Sequence, residues 1–306
     1  MPHTLLLAEP RGFCAGVVRA IDVLDRMLEI ETPPVYAFHE IVHNRYVVEQ
    51  FEERGAVFVN TIGEIPEGSR VVFSAHGVSP LVVAEAERRK LRVVDATCPL
   101  VTKVYLETKK AARDGFEVLL VGHRGHDEIE GTAGEAPTRT RVVETPAEAS
   151  AVNASDRPVF VVTQTTLSVD DTAETIDSIR ERYPDAQVRN DICYATTNRQ
   201  AAVRTIAERA DLVLVVGSVN SSNTVRLYEV AIGLGIPAYR VDGVDEIDPA
   251  WYEGVGVVGL TAGASVPDSL LDPIIEDLKA RGVTTVEPVI VAEETAVFQP
   301  PEGVEP

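Results

Sequence analysis

Residues 93–103 read VVDATCPLVTK, and this stretch decides the fold class. A β-branched apolar run ends in a short polar turn that carries Cys98. Pro99 follows, and proline suits the first position of a helix, where a missing N–H costs nothing. The residues after it, LVTKVYLETKKAARDG, have a helical pattern closed by Gly115. Cys98 is therefore expected where the carboxyl end of a strand meets the amino end of a helix. Free N–H groups and the helix dipole at such a place stabilise negative charge on sulfur.

The same order of elements occurs twice more. HTLLLAEPRGFC (3–14) leads into AGVVRAIDVLDRMLEI, and AQVRNDIC (186–193) leads into YATTNRQAAVRTIAERA. The chain has three cysteines, Cys14, Cys98 and Cys193, spaced 84 and 95 residues apart, and each takes the strand–Cys–helix position. Further matches follow at fixed offsets. His43, His126 and Ser221 lie 29, 28 and 28 residues past the cysteine of their repeat, each after a short apolar strand. VVFSAHGVSP, VFVVTQTTLS and GVVGLTAGAS form a third set of strands with polar mouths, at His76, Thr165 and Ser265.

Short apolar strands alternating with helical stretches indicate βαβ units and mainly parallel sheets. Ligands of such sheets gather beyond the carboxyl ends of the strands. The expected fold is thus α/β: three quasi-repeated domains around a central pseudo-threefold cluster site. The boundaries are 15–98, 99–189, and 190–281 joined by strand 1–14. Residues 282–306 form an extension, in which VTTVEPVIV adds a strand and the Pro- and Glu-rich end is disordered.

Composition narrows the function. The chain has 306 residues, 45% of them hydrophobic, and a formal net charge of −20, which argues against nucleic acid or an anionic membrane as partner. No apolar run approaches the roughly 20 residues of a membrane span. Three cysteines at long spacing do not form a disulfide framework, which suits a reducing cytoplasmic compartment. Residues 254–259, GVGVVG, match G-x-G-x-x-G literally, but they run into an apolar strand rather than a strand-to-helix turn, so dinucleotide binding is not expected there.

Three thiolates from separate repeats fit either zinc, with His43, His76, His123 or His126 as fourth ligand, or an iron–sulfur cluster. Structural zinc favours close C-x-x-C pairs, which are absent from the sequence. A 4Fe-4S cluster normally takes four cysteines, so three leave one iron open to substrate as a Lewis acid. Around them stand donors for a small anion: His43, His76, His126, Thr165, Thr166, Ser221, Ser222, Asn223 and Ser265. SSNT, directly before the helical run VRLYEVAIGLG, adds free backbone N–H groups. Glu128, in a loop within GHDEIEG, is the candidate general acid, with a pKa raised by an anion and a cluster nearby.

These motifs together resemble the 4-hydroxy-3-methylbut-2-enyl diphosphate reductase family. The resemblance runs through PRGFCAG, IVHN, SAHGVSP, DATCPLVTK, GHxxHxE, TQTTLS, DICYATTNRQ, SSNT and TAGAS. It implies a cytoplasmic enzyme with one 4Fe-4S cluster held by Cys14, Cys98 and Cys193. It implies that His43, His76, His126, Thr165, Thr166, Ser221, Ser222, Asn223 and Ser265 surround the substrate and its diphosphate. Glu128 would donate the proton with Thr165 beside it, and a ferredoxin or flavodoxin would supply electrons. Isopentenyl and dimethylallyl diphosphate would be the products. Two positions depart from the family pattern: Asp127 stands where proline is usual, and Tyr105 where histidine is frequent. Asp127, if ionised and near the site, is expected to push the pKa of Glu128 further up; pointing to solvent, it would have no effect. The alternative outside this family is a non-catalytic zinc- or anion-binding protein using three cysteines and one histidine.

Overall fold

The computed structural model describes residues 2–153, 156–301 and 304. The chain begins β1 (Thr4–Glu9), α1 (Ala15–Ile30), β2 (Val35–Phe38), α2 (Arg45–Glu53), β3 (Ala56–Val59), β4 (Arg70–Phe73), α3 (Pro80–Arg88) and β5 (Arg92–Asp95). It continues through α4 (Pro99–Arg113), β6 (Glu117–Val121), α5 (Asp127–Glu135), β7 (Thr140–Val143), α6 (Pro146–Ala151), β8 (Val159–Thr163), α7 (Val169–Arg182) and β9 (Gln187–Val188). The last part holds α8 (Tyr194–Ala207), β10 (Leu212–Val216), α9 (Ser222–Gly233), β11 (Ala238–Val241), β12 (Val257–Ala262), α10 (Asp272–Ala280) and β13 (Thr285–Ile290).

Among the described residues three sheets form, and every strand pair in them is parallel. The chain divides into two compact units. The first comprises residues 1–15, 43–45 and 193–297, and it contains the five-stranded sheet β11-β10-β12-β1-β13. The second comprises residues 16–42, 46–192 and 298–306, and it contains the sheets β3-β2-β4-β5 and β7-β6-β8-β9.

A parallel sheet covered on both faces needs apolar residues at every strand position, not at alternate ones. β10 and β6 are buried along their whole lengths. Alternation then decides which face each side chain serves. In the first unit Leu5, Leu7, Leu212 and Leu214 pack with α10 residues Ile274 and Leu278. Leu6, Ala8, Val213 and Val215 face the other way, onto Val203 and Ile206 of α8. β6 and β8 repeat the device, with Leu119 and Val161 on one face and Val118, Leu120 and Val162 on the other.

β1 pairs with β12 and β13, and VTTVEPVIV supplies the edge strand β13. GVGVVG leads into β12 with Gly259 inside the strand, and so is no phosphate-binding turn. The end of the chain differs from expectation. Residues 291–301 have no regular structure, yet Glu294 pairs with Arg199 at 2.9 Å and Gln299 accepts from Arg19 Nε at 2.7 Å. The disorder expected of the final tail falls partly on residues 302, 303, 305 and 306, which lie outside the described residues. No described helix is long and apolar enough to cross a membrane.

Candidate functional site

Each cysteine stands at a helix amino end. Cys14 directly precedes α1, and Cys98 and Cys193 are the N-cap residues of α4 and α8. Neither N-cap thiol is spent on capping, none of the three is in a disulfide, and all three are partly exposed. A thiol at this place has helix N–H groups and the helix dipole behind it, which favour its thiolate form. Thiolates are the ligand type that soft metal centres prefer.

In the first unit the loop before Cys14 is tied down from below. Arg199, with no exposed surface, donates to the Gly12 carbonyl from Nε at 3.1 Å and from Nη2 at 2.7 Å. Its Nη1 also bonds the Ala195 carbonyl and Glu294. Gly12 adopts φ +64°, a conformation that favours glycine, and a Cβ there would press on the Val266 carbonyl. Cys14 N donates to the Ala264 carbonyl at 3.2 Å. Sequence reasoning missed Arg199, although NRQ lies within the motif that follows Cys193.

The polar residues of this unit are linked. Cys193 Sγ lies 3.3 Å from Thr196 Oγ1, which accepts from Asn223 Nδ2 at 3.2 Å. Asn223 Oδ1 accepts from Ala264 N at 2.8 Å. One of the two Nδ2 hydrogens thus serves Thr196, and the second remains available to an anion. Ser221 is the N-cap of α9, its Oγ accepting from Thr224 N. Ser265 Oγ donates to the His43 carbonyl at 2.9 Å and lies 3.5 Å from Ser221 Oγ. The helix begins at Ser222, inside SSNT rather than after it, because the Ser221 hydroxyl caps it. Ser221, Asn223 and Ser265 are buried, and Ser222 opens the helix.

The second unit contains Cys98, His76, His126, Glu128, Thr165 and Thr166. Glu128 is not in a loop, as expected from sequence, but in the first turn of α5. His126 caps that helix through Nδ1, which accepts from Glu128 N at 3.2 Å, and acidic residues are favoured in a first turn. With Nδ1 accepting, the neutral ring carries its hydrogen on Nε2. Glu128 is 2% exposed, and its carboxylate is held at both oxygens by one residue. Thr165 N donates to Oε1 at 2.7 Å and Thr165 Oγ1 donates to Oε2 at 2.8 Å. Burial pushes the Glu128 carboxyl up to about 7, against these two bonds, and the charge of Asp191 adds to the rise. The contribution expected of Asp127 falls instead to Asp191, because Asp127 is engaged elsewhere: its Oδ1 lies 2.7 Å from His39 Nδ1.

The end of β8 also fixes the neighbouring loop. Buried Gln164 accepts from His123 N at 3.0 Å and donates to Thr166 Oγ1 at 2.9 Å. Tyr105 is buried, and its hydroxyl donates to the His76 carbonyl at 3.3 Å. A Cβ at Gly131 of α5 would fall on that hydroxyl, and one at Gly77 would crowd it. Tyr105 therefore supports the His76–Gly77 turn. Its hydroxyl is kept protonated by burial and by nearby carboxylates, Glu128 foremost.

Comparison with known proteins follows the same lines. A family model described as LytB protein matches residues 5–279. A 4-hydroxy-3-methylbut-2-enyl diphosphate reductase of Mycolicibacterium vanbaalenii is 53% identical over 306 residues, covering 99% of this chain and 91% of its own. The solved E-1-hydroxy-2-methyl-but-2-enyl-4-diphosphate reductase of Plasmodium falciparum superposes with a TM-score of 0.97 at 35% identity, covering 99% of this chain and 97% of its own. A solved (E)-4-hydroxy-3-methyl-but-2-enyl diphosphate reductase, described as the terminal enzyme of the non-mevalonate pathway, has a TM-score of 0.64 at 32% identity, covering 91% of this chain and 99% of its own.

Proposed function

Because the chain belongs to the LytB family and is an oxidoreductase, we propose that it reduces (E)-4-hydroxy-3-methylbut-2-enyl diphosphate to isopentenyl and dimethylallyl diphosphate, in isoprenoid biosynthesis by the non-mevalonate route. The allylic hydroxyl leaves as water while two electrons and two protons enter. Cys14, Cys98 and Cys193 would hold a 4Fe-4S cluster, which when bound supplies single electrons and an open Lewis-acidic iron. A ferredoxin or flavodoxin is the electron donor in this reading, and the compartment is the cytoplasm. The domains are residues 15–98, 99–189 and 190–281 with strand 1–14, and 282–306 is an extension.

The chain's own residues have distinct tasks. His43, His76, His126, Thr166, Ser221, Ser222, Asn223 and Ser265 surround the substrate and its diphosphate, Ser265 donating to it by turning its hydroxyl away from the His43 carbonyl. Glu128 stores a proton near neutrality. When Glu128 is protonated, its O–H donates to Thr165 Oγ1, so the Thr165 hydroxyl is released to donate onward. When Glu128 is ionised, the same bond runs the other way, as drawn by the 2.8 Å contact. One bond thus serves both states, and Thr165 relays the proton without moving.

The observation that carries the reading is the recurrence of one arrangement: each cysteine stands at a helix amino end and none is in a disulfide. Metal and sulfide analysis of anaerobically purified protein tests it. About four irons and four sulfides per chain, with a visible absorption band, are expected. Stoichiometric zinc without sulfide would instead establish the zinc-binding alternative.

A further inference from the structure

Two consecutive threonines follow Cys193 in the first turn of α8, and they spend their hydroxyls differently. Thr197 Oγ1 donates to the backbone, with the Tyr194 carbonyl at 3.0 Å and the Cys193 carbonyl at 3.5 Å. Thr196 is buried and turns the other way, its Oγ1 lying 3.3 Å from Cys193 Sγ. The same oxygen meets Asn223 Nδ2 at 3.2 Å. Thr196 has no task in the reaction as described, yet it joins a cysteine to a residue assigned to the diphosphate.

We propose that Thr196 is a positioning residue for electron uptake: its hydroxyl donates to the Cys193 sulfur, Asn223 sets the direction of that bond, and the bond raises the reduction potential of the centre that Cys193 holds. The inference rests on the function proposed above, since it concerns a cluster bound at Cys193.

The direction follows from the donors and acceptors present. The Ala264 N–H can only donate, so the Asn223 atom that meets it at 2.8 Å is the amide oxygen. The amide nitrogen then faces Thr196, and an amide nitrogen donates without accepting. Thr196 Oγ1 is therefore the acceptor of the Asn223 bond, and its single hydrogen is left for the Cys193 sulfur. A hydrogen bond to an ionised acceptor strengthens as negative charge gathers on it. The reduced centre carries one more electron than the oxidised one, so a donor at its sulfur favours reduction, and such bonds are among the levers that set these potentials. Ala264 also accepts from Cys14 N, at 3.2 Å. One chain of bonds thus runs from Cys193 through Thr196, Asn223 and Ala264 to the backbone of Cys14, wholly within the first unit. Asn223 stands in its middle, so one amide both offers a hydrogen to the substrate's anion and aims the hydroxyl at the sulfur.

The test is a redox titration of the anaerobic holoprotein with mediator dyes, followed by electron paramagnetic resonance, in wild type, Thr196→Val, Thr196→Ala and Thr196→Ser. Thr196→Val keeps the shape and removes the donor. Its reduction equilibrium should weaken on the order of tenfold, a shift of about 59 mV to more negative potential for one electron. Thr196→Ala should shift in the same direction, and it decides the matter if the valine variant does not load. Thr196→Ser restores the hydroxyl and should titrate with wild type. Valine and alanine variants that titrate with wild type overturn the proposal. So does an equal shift in Thr196→Ser, which marks a merely structural role. Failure of both the valine and the alanine variant to hold a cluster overturns it too, because the bond then serves retention and not potential. Iron and sulfide content is measured on the same samples. A wild type without a cluster defeats the functional reading, whereas loaded proteins with superposable titrations defeat only the role of Thr196.

Discussion

Replacing Glu128 by Gln removes a carboxyl that the fold holds protonated, and the consequence for stability follows from the structure. Glu128 is 2% exposed and its pKa is raised by burial from an ordinary 4.5 to about 7. Between those values the unfolded chain has released this proton and the folded chain has not. Wild-type stability therefore falls as pH rises through this window and levels off above the folded pKa. The full fall is about 3 kcal/mol, from 1.36 kcal/mol per pKa unit. The glutamine variant lacks this titration while the other groups titrate alike in both proteins. The difference between the two isolates the term. The sequence pI near 4.7 limits work at the acid end. Between pH 5.5 and 8.5 the variant should gain about 2 kcal/mol on wild type. Urea midpoints of the two proteins, measured at half-unit intervals of pH, give the difference directly. Turnover should fall by roughly 10²–10⁴ in the variant, as for other lost acid–base groups. A stability difference independent of pH would refute the burial argument, and near-normal turnover would refute the proton-donor role.

Arg199→Met removes both bonds to the Gly12 carbonyl and strands Glu294, so about 3–5 kcal/mol of unfolding free energy should be lost in urea denaturation. Gly131→Ala puts a methyl group on the Tyr105 hydroxyl and should cost about 1–3 kcal/mol. Adding Tyr105→Phe to that variant should recover part of the loss, which thermal unfolding would register. Asn223→Ala takes away the donor of the 3.2 Å bond to Thr196 and the remaining Nδ2 hydrogen, and diphosphate affinity should weaken by roughly 1.5–3 kcal/mol in calorimetric titration.

Local chemistry made much of this protein legible in its sequence. Continuous apolar runs such as LVLVV and EVLLV mark strands covered on both faces, and Pro99 after Cys98 marks the start of a helix, because periodicity and backbone constraint act within a few residues. The capping serine of SSNT and the parallel sheets were readable for the same reason. The partners of buried groups were not. Glu128 is held by Thr165, 37 residues away, and its raised pKa comes from being sealed from water, a property of packing that no stretch around GHDEIEG expresses. Arg199 closes on Gly12 across 187 residues, so nothing near either residue announces the bond. Asp127 could be seen as an unusual residue beside Glu128, but side chains adjacent on a helix point in different directions. Only the folded chain brought His39 against one oxygen of Asp127 and left Asp191 as the charge acting on Glu128.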